Sequence, residues 1–346
     1  MILTCLPPGF NGVFPPAQPG NWQPAVLTVQ KKCDNEPVPP LWPTRKDSTA
    51  VNTIDLHLHT TASTDADFSP AELLSRCAAA GLRAVSITDH NSTRAYPAAF
   101  AAARRLGLTL IPGVELDCHL AGVNLHLLGY AIDPSHPAFD RYEAALVEQE
   151  QRASAHRLAA VRALGIRIED GPIKALAVHG IITGEMLAEV ALSDPRNAAH
   201  PLLDPYRPGG ARSANPYVNF YWDICSQGQP AYAHVEFIPL AAAVDMIHAA
   251  GGFAVLAHPA VNIGLDSGRL RQVVSAGARG VEAYTTYHDP AAVQFYVDQA
   301  RALSILVTIG SDFHGKTKPA IRLGQFTIPG EPQIQQAFFD LAAPKA

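Results

Sequence analysis

From Thr53 onward the chain keeps a regular beat: a short apolar run, a turn, then a segment whose apolar positions recur every three or four residues. "TIDLHLH" reads as a strand. "SPAELLSRCAAAGL" reads as an amphipathic helix capped by Ser69, with Pro70 in its first turn and Gly81 beyond its end. "AVSITDH" is the next strand, "AYPAAFAAARRLGL" a helix, "TLIPGVEL" a strand and "NLHLLGYAI" a paired strand. Between Pro134 and Ala233 the beat is lost. Phe139 to Leu164 carries a long helical pattern stopped by Gly165, and "SDPRNAAHPLLDPYRPGGARSANPYVNFYWD" holds too much Pro, Gly and Asn for regular core structure. The alternation resumes with "PLAAAVDMIHAAGG" (helix), "FAVLAHP" (strand), "RLRQVVSAG" (helix), "GVEAY" (strand), "PAAVQFYVDQARAL" (helix) and "ILVTIGSDFH" (strand). Strands alternating with helices predict an α/β fold on a parallel sheet. So many units without a GxGxxG turn predict a closed or nearly closed barrel, interrupted by an inserted, mainly helical cap.

The same pattern sets the predicted boundaries: a Pro-rich arm over 1–50, barrel over 51–134, cap over 135–233, barrel again over 234–330, and a C-terminal helix or tail over 331–346. In the arm, prolines from Pro7 to Pro43 break any long helix or central strand, because proline fixes φ and lacks the backbone donor.

Composition narrows the function classes. A chain of 346 residues, 48% hydrophobic and 16% charged, can bury a large core. Its net charge of -5 supplies no global basic field, so a stable complex with long nucleic acid is not expected, whereas a small anionic ligand held by a local clamp is. The five cysteines are scattered and odd in number, which suggests neither a disulfide framework nor a CxxC zinc site, and fits a reducing cytoplasm. There is no basic-then-apolar leader and no run of about 18 apolar residues, so neither secretion nor membrane insertion is predicted.

Chemistry concentrates at the strand ends. "DLHLHTTASTD" brings His57, His59 and Asp65; "TDH" brings His90; "GVE" brings Glu115; "NLHLLGY" brings His126; "AHP" brings His258; "SDFH" brings Asp312 and His314. In a parallel barrel all strand C-termini open on one face, so these distant residues converge. His-x-His on a strand puts two imidazoles on one side, where both reach one ion. Each tripeptide alone is common, and an isolated HxH is as often a buried structural pair. Their joint occurrence is not: a core seldom buries so many polar side chains without a cation to satisfy them.

In these residues the chain resembles the PHP (polymerase and histidinol phosphatase) family of metal-dependent phosphoesterases. "DLHLHTTASTD", "SITDHNST", "IPGVEL", "NLHLLGY", "VLAHPA" and "GSDFHGKTKPAIRLG" occur in the family's order from Thr53 to about Pro329. The resemblance implies a distorted seven-stranded (β/α) barrel holding two or three divalent ions. It implies one ion on His57, His59, Glu115 and Asp312, with Glu115 bridging to a second on His126 and His258. A third would sit on Asp65, His90 and His314, the acid at 65 replacing a histidine found in some members. It further implies phosphoester hydrolysis by a metal-activated hydroxide. The capped architecture is similar to that of members acting on 3',5'-nucleoside bisphosphates or RNA ends.

Ligands mixing imidazole and carboxylate fit manganese, zinc or iron better than calcium. Beyond the ligands, His288 after "EAYTTY" is a candidate general acid, and Asp89 either orients His90 or touches metal. Lys316 and Lys318 in "GKTKP", and more weakly Arg212, are candidate phosphate clamps, with solvated lysines as the plain alternative. "YVNFYW" is read as the small core of the cap rather than a base-stacking platform. His119, His136, His156, His179, His200 and His248 are read as surface or packing residues, and His234 as one to watch. The competing functions are a histidinol-phosphatase-like phosphomonoesterase and a metal-binding PHP module without turnover. An amidohydrolase would usually show a bridging lysine at a strand end, and none is found.

Overall fold

The structure, a computed structural model, describes residues 53–324, 328 and 330–342. The arm expected at 1–50 lies outside them.

Strand β1 (Ile54–Leu58) is buried along its whole length. Its alternate residues divide by chemistry: Ile54, Leu56 and Leu58 join apolar clusters, while Asp55 and His57 make polar contacts. Helix α1 (Pro70–Ala79) begins at Ser69 with a capping box closed by Glu72. Strand β2 (Ala84–Ile87), helix α2 (Tyr96–Leu106), strand β3 (Thr109–Leu120) and strand β4 (Val123–Tyr130) follow. A helical lobe comes next: α3 (Pro137–Ala163), α4 (Asp170–Leu176), α5 (Gly184–Ser193), 3-10 turns at Pro195–Asn197 and Pro201–Tyr206, α6 (Pro216–Phe220) and a π-helical turn at Tyr221–Cys225. The chain then returns through β5 (Ile238–Pro239), α7 (Leu240–Ala249), β6 (Phe253–Leu256), α8 (Pro259–Ile263), α9 (Ser267–Ser275), β7 (Gly280–Thr285), α10 (Pro290–Leu303), β8 (Leu306–Gly310) and α11 (Glu331–Ala342).

One eight-stranded sheet runs β1-β2-β3-β4-β6-β7-β8, with the two-residue β5 paired outside this path to β3. The path nearly closes. Where β1 ends and the chain leaves β8, the amide of Asp312 donates to the carbonyl of His57 at 2.9 Å, and that of His59 to Phe313 at 3.1 Å. The sheet is therefore a nearly closed barrel, as the alternation predicts. It departs from an all-parallel sheet in one place: β4 runs antiparallel to both β3 and β6. Its cause is local, because Ala121 and Gly122 both take positive φ (49° and 80°), and so short a turn returns the chain antiparallel.

Three apolar clusters hold the molecule. One fills the space between the sheet and α7, α9 and α10, a second lies under α1 and α2, and a third belongs to the lobe, around Leu187, Leu203 and Phe220. Helix α11 docks on the first: Phe338 is fully buried against Tyr130 and Phe253, worth about 1.5–3 kcal/mol for one such side chain. Glu331 of the same helix accepts from the Thr53 amide at 2.5 Å, tying the helix to the entry of β1.

Candidate metal centre

Four parts of the barrel deliver the polar cluster. The β1 end gives His57 and His59, the bend after β2 gives His90, the segment after β6 gives His258, and that after β8 gives Asp312 and His314. Glu115 and His126 arrive differently. They lie inside β3 and β4, and reach the cluster because the hairpin runs on past the rim; His126 is not at a strand end, as the sequence reading has it. In that hairpin Asp117 lies opposite His126, with a carboxylate oxygen 3.2 Å from His126 Nε2.

The contacts are short and mutual. Glu115 Oε2 lies 3.1 Å from His57 Nε2 and 3.2 Å from His59 Nε2, and Asp312 Oδ1 lies 3.1 Å from His59 Nε2. Glu115 Oε1 lies 2.9 Å from His126 Nδ1 and 3.1 Å from His258 Nε2. On the other side Asp65 Oδ2 lies 3.2 Å from His314 Nε2 and 3.9 Å from His90 Nε2. The compact groupings are His57, His59, Glu115 and Asp312; Glu115, His126 and His258; His59, His90 and His314; and His90, Asp117 and His126. The first two match the expected ligand sets. In the third His59 stands where Asp65 is expected, and the fourth brings in Asp117, which the sequence reading passes over. Period-two spacing from Glu115 would have found it.

Hydrogen bonds join Glu115 to His57, His126 and His258, but they leave much of the cluster unsatisfied. His59 Nε2, His90 Nδ1, Asp65 Oδ1, Asp312 Oδ1 and His314 Nε2 are all buried and lack a hydrogen-bond partner. Such atoms are costly to bury unless a cation draws them together. Charge balance points the same way. Burial works to lower His57, but Glu115, Glu282 and Asp312 hold its pKa well above the ordinary value. Burial would likewise lower His126, yet Glu115 and Asp117 raise it to about 9. His59 is the opposite case, pushed down to about 3 by burial and by the imidazoles of His314 and His90, which leaves a neutral ring with a free lone pair. Protons on imidazole thus take the place that cations would fill, and the residues present fit a cluster of divalent ions.

Backbone strain and outer partners fix the donors. His258 and Asp312 take positive φ (22° and 57°), as does Asn91 at 55°. His57 Nδ1 donates to Glu282 Oε1 at 2.9 Å, and the amide of His258 donates to Glu282 Oε2 at 2.8 Å. His59 Nδ1 meets Ser63 Oγ at 3.1 Å, and Ser63 donates to Asp89 at 2.9 Å. Asn91 donates to Asp117 at 2.6 Å. Glu282 was legible too: an acid in the middle of the buried strand "GVEAY" needs a reason to be there.

A cleft of about 400 Å³ opens over the cluster, between the barrel rim and the lobe. Lys318 lines it, with its ammonium 2.5 Å from Asp312 Oδ2, beside Tyr287, whose hydroxyl donates to the same oxygen at 2.8 Å. The other non-ligand candidates are placed elsewhere. Lys316 is half-exposed and pairs with Glu189 at 2.9 Å, and Arg212 is held by Asp223 at 2.9 Å; neither is among the residues lining the cleft. His288 has both nitrogens spent on backbone, Nδ1 on the Ala283 carbonyl and Nε2 on the Ala260 amide, so it braces the turn after His258 instead of facing the rim. The Asp89 carboxylate spends its oxygens on Thr60 and Ser63, and Ser63 in turn meets His59 Nδ1 and accepts from the His90 amide, so Asp89 positions both residues through Ser63. "YVNFYW" is divided: Phe220 is buried in the lobe, whereas Val218, Tyr221 and Trp222 line the cleft. His179, read as a surface residue, lines it as well.

The PHP domain model matches residues 55–161. The 5'-3' exoribonuclease Rnm of Salmonella typhimurium is 31% identical over 280 residues, which cover 78% of this chain and 88% of that protein. The chain belongs to the PHP domain family. A 3',5'-nucleoside bisphosphate phosphatase of Chromobacterium violaceum is 29% identical over 269 residues, covering 75% of this chain and 87% of that one. The structure of an amidohydrolase from Chromobacterium violaceum superposes with a TM-score of 0.66 at 24% identity, over 82% of this chain and 96% of that one, a likeness of fold. In this PHP chain the residues beyond the family match still bring His258, Asp312 and His314 to the cluster.

Proposed function

We propose that the protein is a metal-dependent phosphoesterase that hydrolyses small phosphate esters of nucleotide type. One divalent ion is assigned to His57, His59, Glu115 and Asp312, a second to Glu115, His126 and His258, and a third to Asp65, His90 and His314. The convergence of buried, unpartnered donor atoms carries the reading. The named activities of the two relatives support the substrate type. Mixed imidazole and carboxylate donors favour manganese, zinc or iron. The helical lobe is assigned the part of a cap that sets substrate choice. Buried free thiols at Cys77, Cys118 and Cys225 fit a reducing, cytoplasmic setting. Among the described residues no helix is long and apolar enough to cross a membrane.

When bound, the ions neutralise the phosphate oxygens and acidify the attacking water. The chain does the rest. Glu282 and Ser63 take the Nδ1 protons of His57 and His59, so each ring offers Nε2. Tyr287 and Lys318 both hold Asp312 Oδ2, which turns Oδ1 toward the two imidazoles. Burial and the Asp312 carboxylate keep the Tyr287 hydroxyl protonated, so it remains a donor. Lys318 also lines the cleft, but its ammonium is committed to Asp312.

The test is a panel of phosphate esters offered to manganese-loaded protein. Phosphate release that disappears on chelation and in His57→Ala supports the reading. Metal bound at the expected stoichiometry with no ester turned over favours a module without turnover.

A further inference from the structure

The Lys and Arg side chains that line the cleft are Arg94, Arg157 and Lys318. Each already has a carboxylate. Arg94 is 2.6 Å from Glu143, Lys318 is 2.5 Å from Asp312, and Arg157 is 3.2 Å from Glu150 while a second nitrogen donates to the Ile182 carbonyl at 2.6 Å. Arg157 is 6% exposed, and its contacts to Glu150 and the Ile182 carbonyl tie the guanidinium to the lobe, although its Nε has no hydrogen-bond partner. Of the lobe's three acids on the cleft, Glu143 is paired with Arg94 and Glu150 with Arg157, which leaves Glu185. Glu185, in the first turn of α5, is 8% exposed and lines the cleft, yet no Lys or Arg lies within ion-pair distance of it among the described residues. At the turn after His258 the wall is formed by Val261 and Asn262, which bring no charge.

A phosphate needs fixed, uncommitted positive charge or backbone donors. The ions at the barrel mouth supply it for one phosphoryl group. Farther into the lobe, every Lys or Arg lining the cleft is already paired with a carboxylate. A second phosphate there would have to break an existing ion pair and sit beside Glu185, which adds no positive charge in either protonation state. An uncharged organic group meets Val218, Tyr221, Trp222 and Phe237 instead, with Glu185 as an acceptor for a hydroxyl or amino donor.

Resting on the phosphoesterase reading, we infer that the cleft selects esters carrying a single phosphate on an uncharged, donor-bearing organic part, and that Glu185 is a specificity residue acting against a second phosphate. Adenosine 5'-monophosphate, adenosine 3'-monophosphate and adenosine 3',5'-bisphosphate form a matched set for the manganese-loaded full chain. The expected kcat/KM for the better monophosphate exceeds that for the bisphosphate by about ten-fold or more. In Glu185→Gln that ratio falls at least three-fold, through KM for the bisphosphate. Equal or better turnover of the bisphosphate by the wild-type enzyme overturns the inference and leaves the phosphoesterase reading standing. Silence on all three esters and on a generic phosphate monoester overturns both. The wild-type ratio decides by itself, so the test survives if Glu185→Gln fails to fold.

Discussion

Glu282 offers the sharpest test of how this cluster is held. It is fully buried and touches no cleft; its oxygens take the His57 Nδ1 proton at 2.9 Å and the His258 amide at 2.8 Å. A carboxylate accepts both, but an amide has one acceptor and one donor. In Glu282→Gln, an oxygen turned to the His258 amide leaves the NH2 against His57, which must then accept at Nδ1 and carry its proton on Nε2. That nitrogen is the one 3.1 Å from Glu115, so the proton occupies the place of the ion. The opposite rotamer sets the NH2 against an N–H of His258. Either way metal affinity should fall about 10- to 100-fold, or roughly 1.4–2.7 kcal/mol. Glu282→Ala differs in kind, since it leaves two buried donors unpaired at about 1–3 kcal/mol each and should also destabilise the metal-free protein. Calorimetric titration with Zn2+ in a competing chelator gives the affinity, and thermal unfolding of the metal-free variants separates folding from binding. A Glu282→Gln protein that binds zinc within two-fold of wild type would refute the tautomer argument.

Five further substitutions probe the surroundings. In Gly310→Ala the new methyl would land against His57 Cβ and a Glu282 oxygen; overpacking of about 1–3 kcal/mol should lower Tm by a few degrees and metal affinity by more than ten-fold, as read by melting and titration. His288→Gln should keep the limbs of the kcat pH profile in place while lowering kcat less than ten-fold, because both ring nitrogens serve backbone; loss of the limb assigned to a general acid would restore His288 to the chemistry. Lys316→Ala and Arg212→Ala should each change KM less than two-fold and stability by at most about 1 kcal/mol, since both form partly exposed pairs, whereas Lys318→Met should cost at least ten-fold in kcat/KM. Steady-state kinetics on one monophosphate ester orders the three.

Much of this protein was legible in its sequence because the deciding interactions are local. Period and capping marked α1, period marked α2, and the ligand-type residues stood out because imidazoles and acids at the ends of apolar runs are conspicuous. The antiparallel hairpin was less visible, since its two-residue turn, Ala121-Gly122, carries only one glycine as a signal. Asp117 and Glu282 could have been read, the first by period two and the second as an acid in a buried strand.

Tertiary structure alone decided where the loop side chains went. Lys316 and Lys318 are two residues apart in the same motif, yet one pairs with Glu189 of the lobe and the other with Asp312 in the cleft. His288 turned away from the rim because the Ala283 carbonyl, five residues back, and the Ala260 amide, close only in space, satisfy both its nitrogens. Pairing of the cleft's cations also depends on which helix of the lobe faces which strand end, as with Glu143 and Arg94. Periodicity is a property of neighbours along the chain; the partner of a long, charged side chain is set by packing between distant segments, and that determines which charges remain for a ligand.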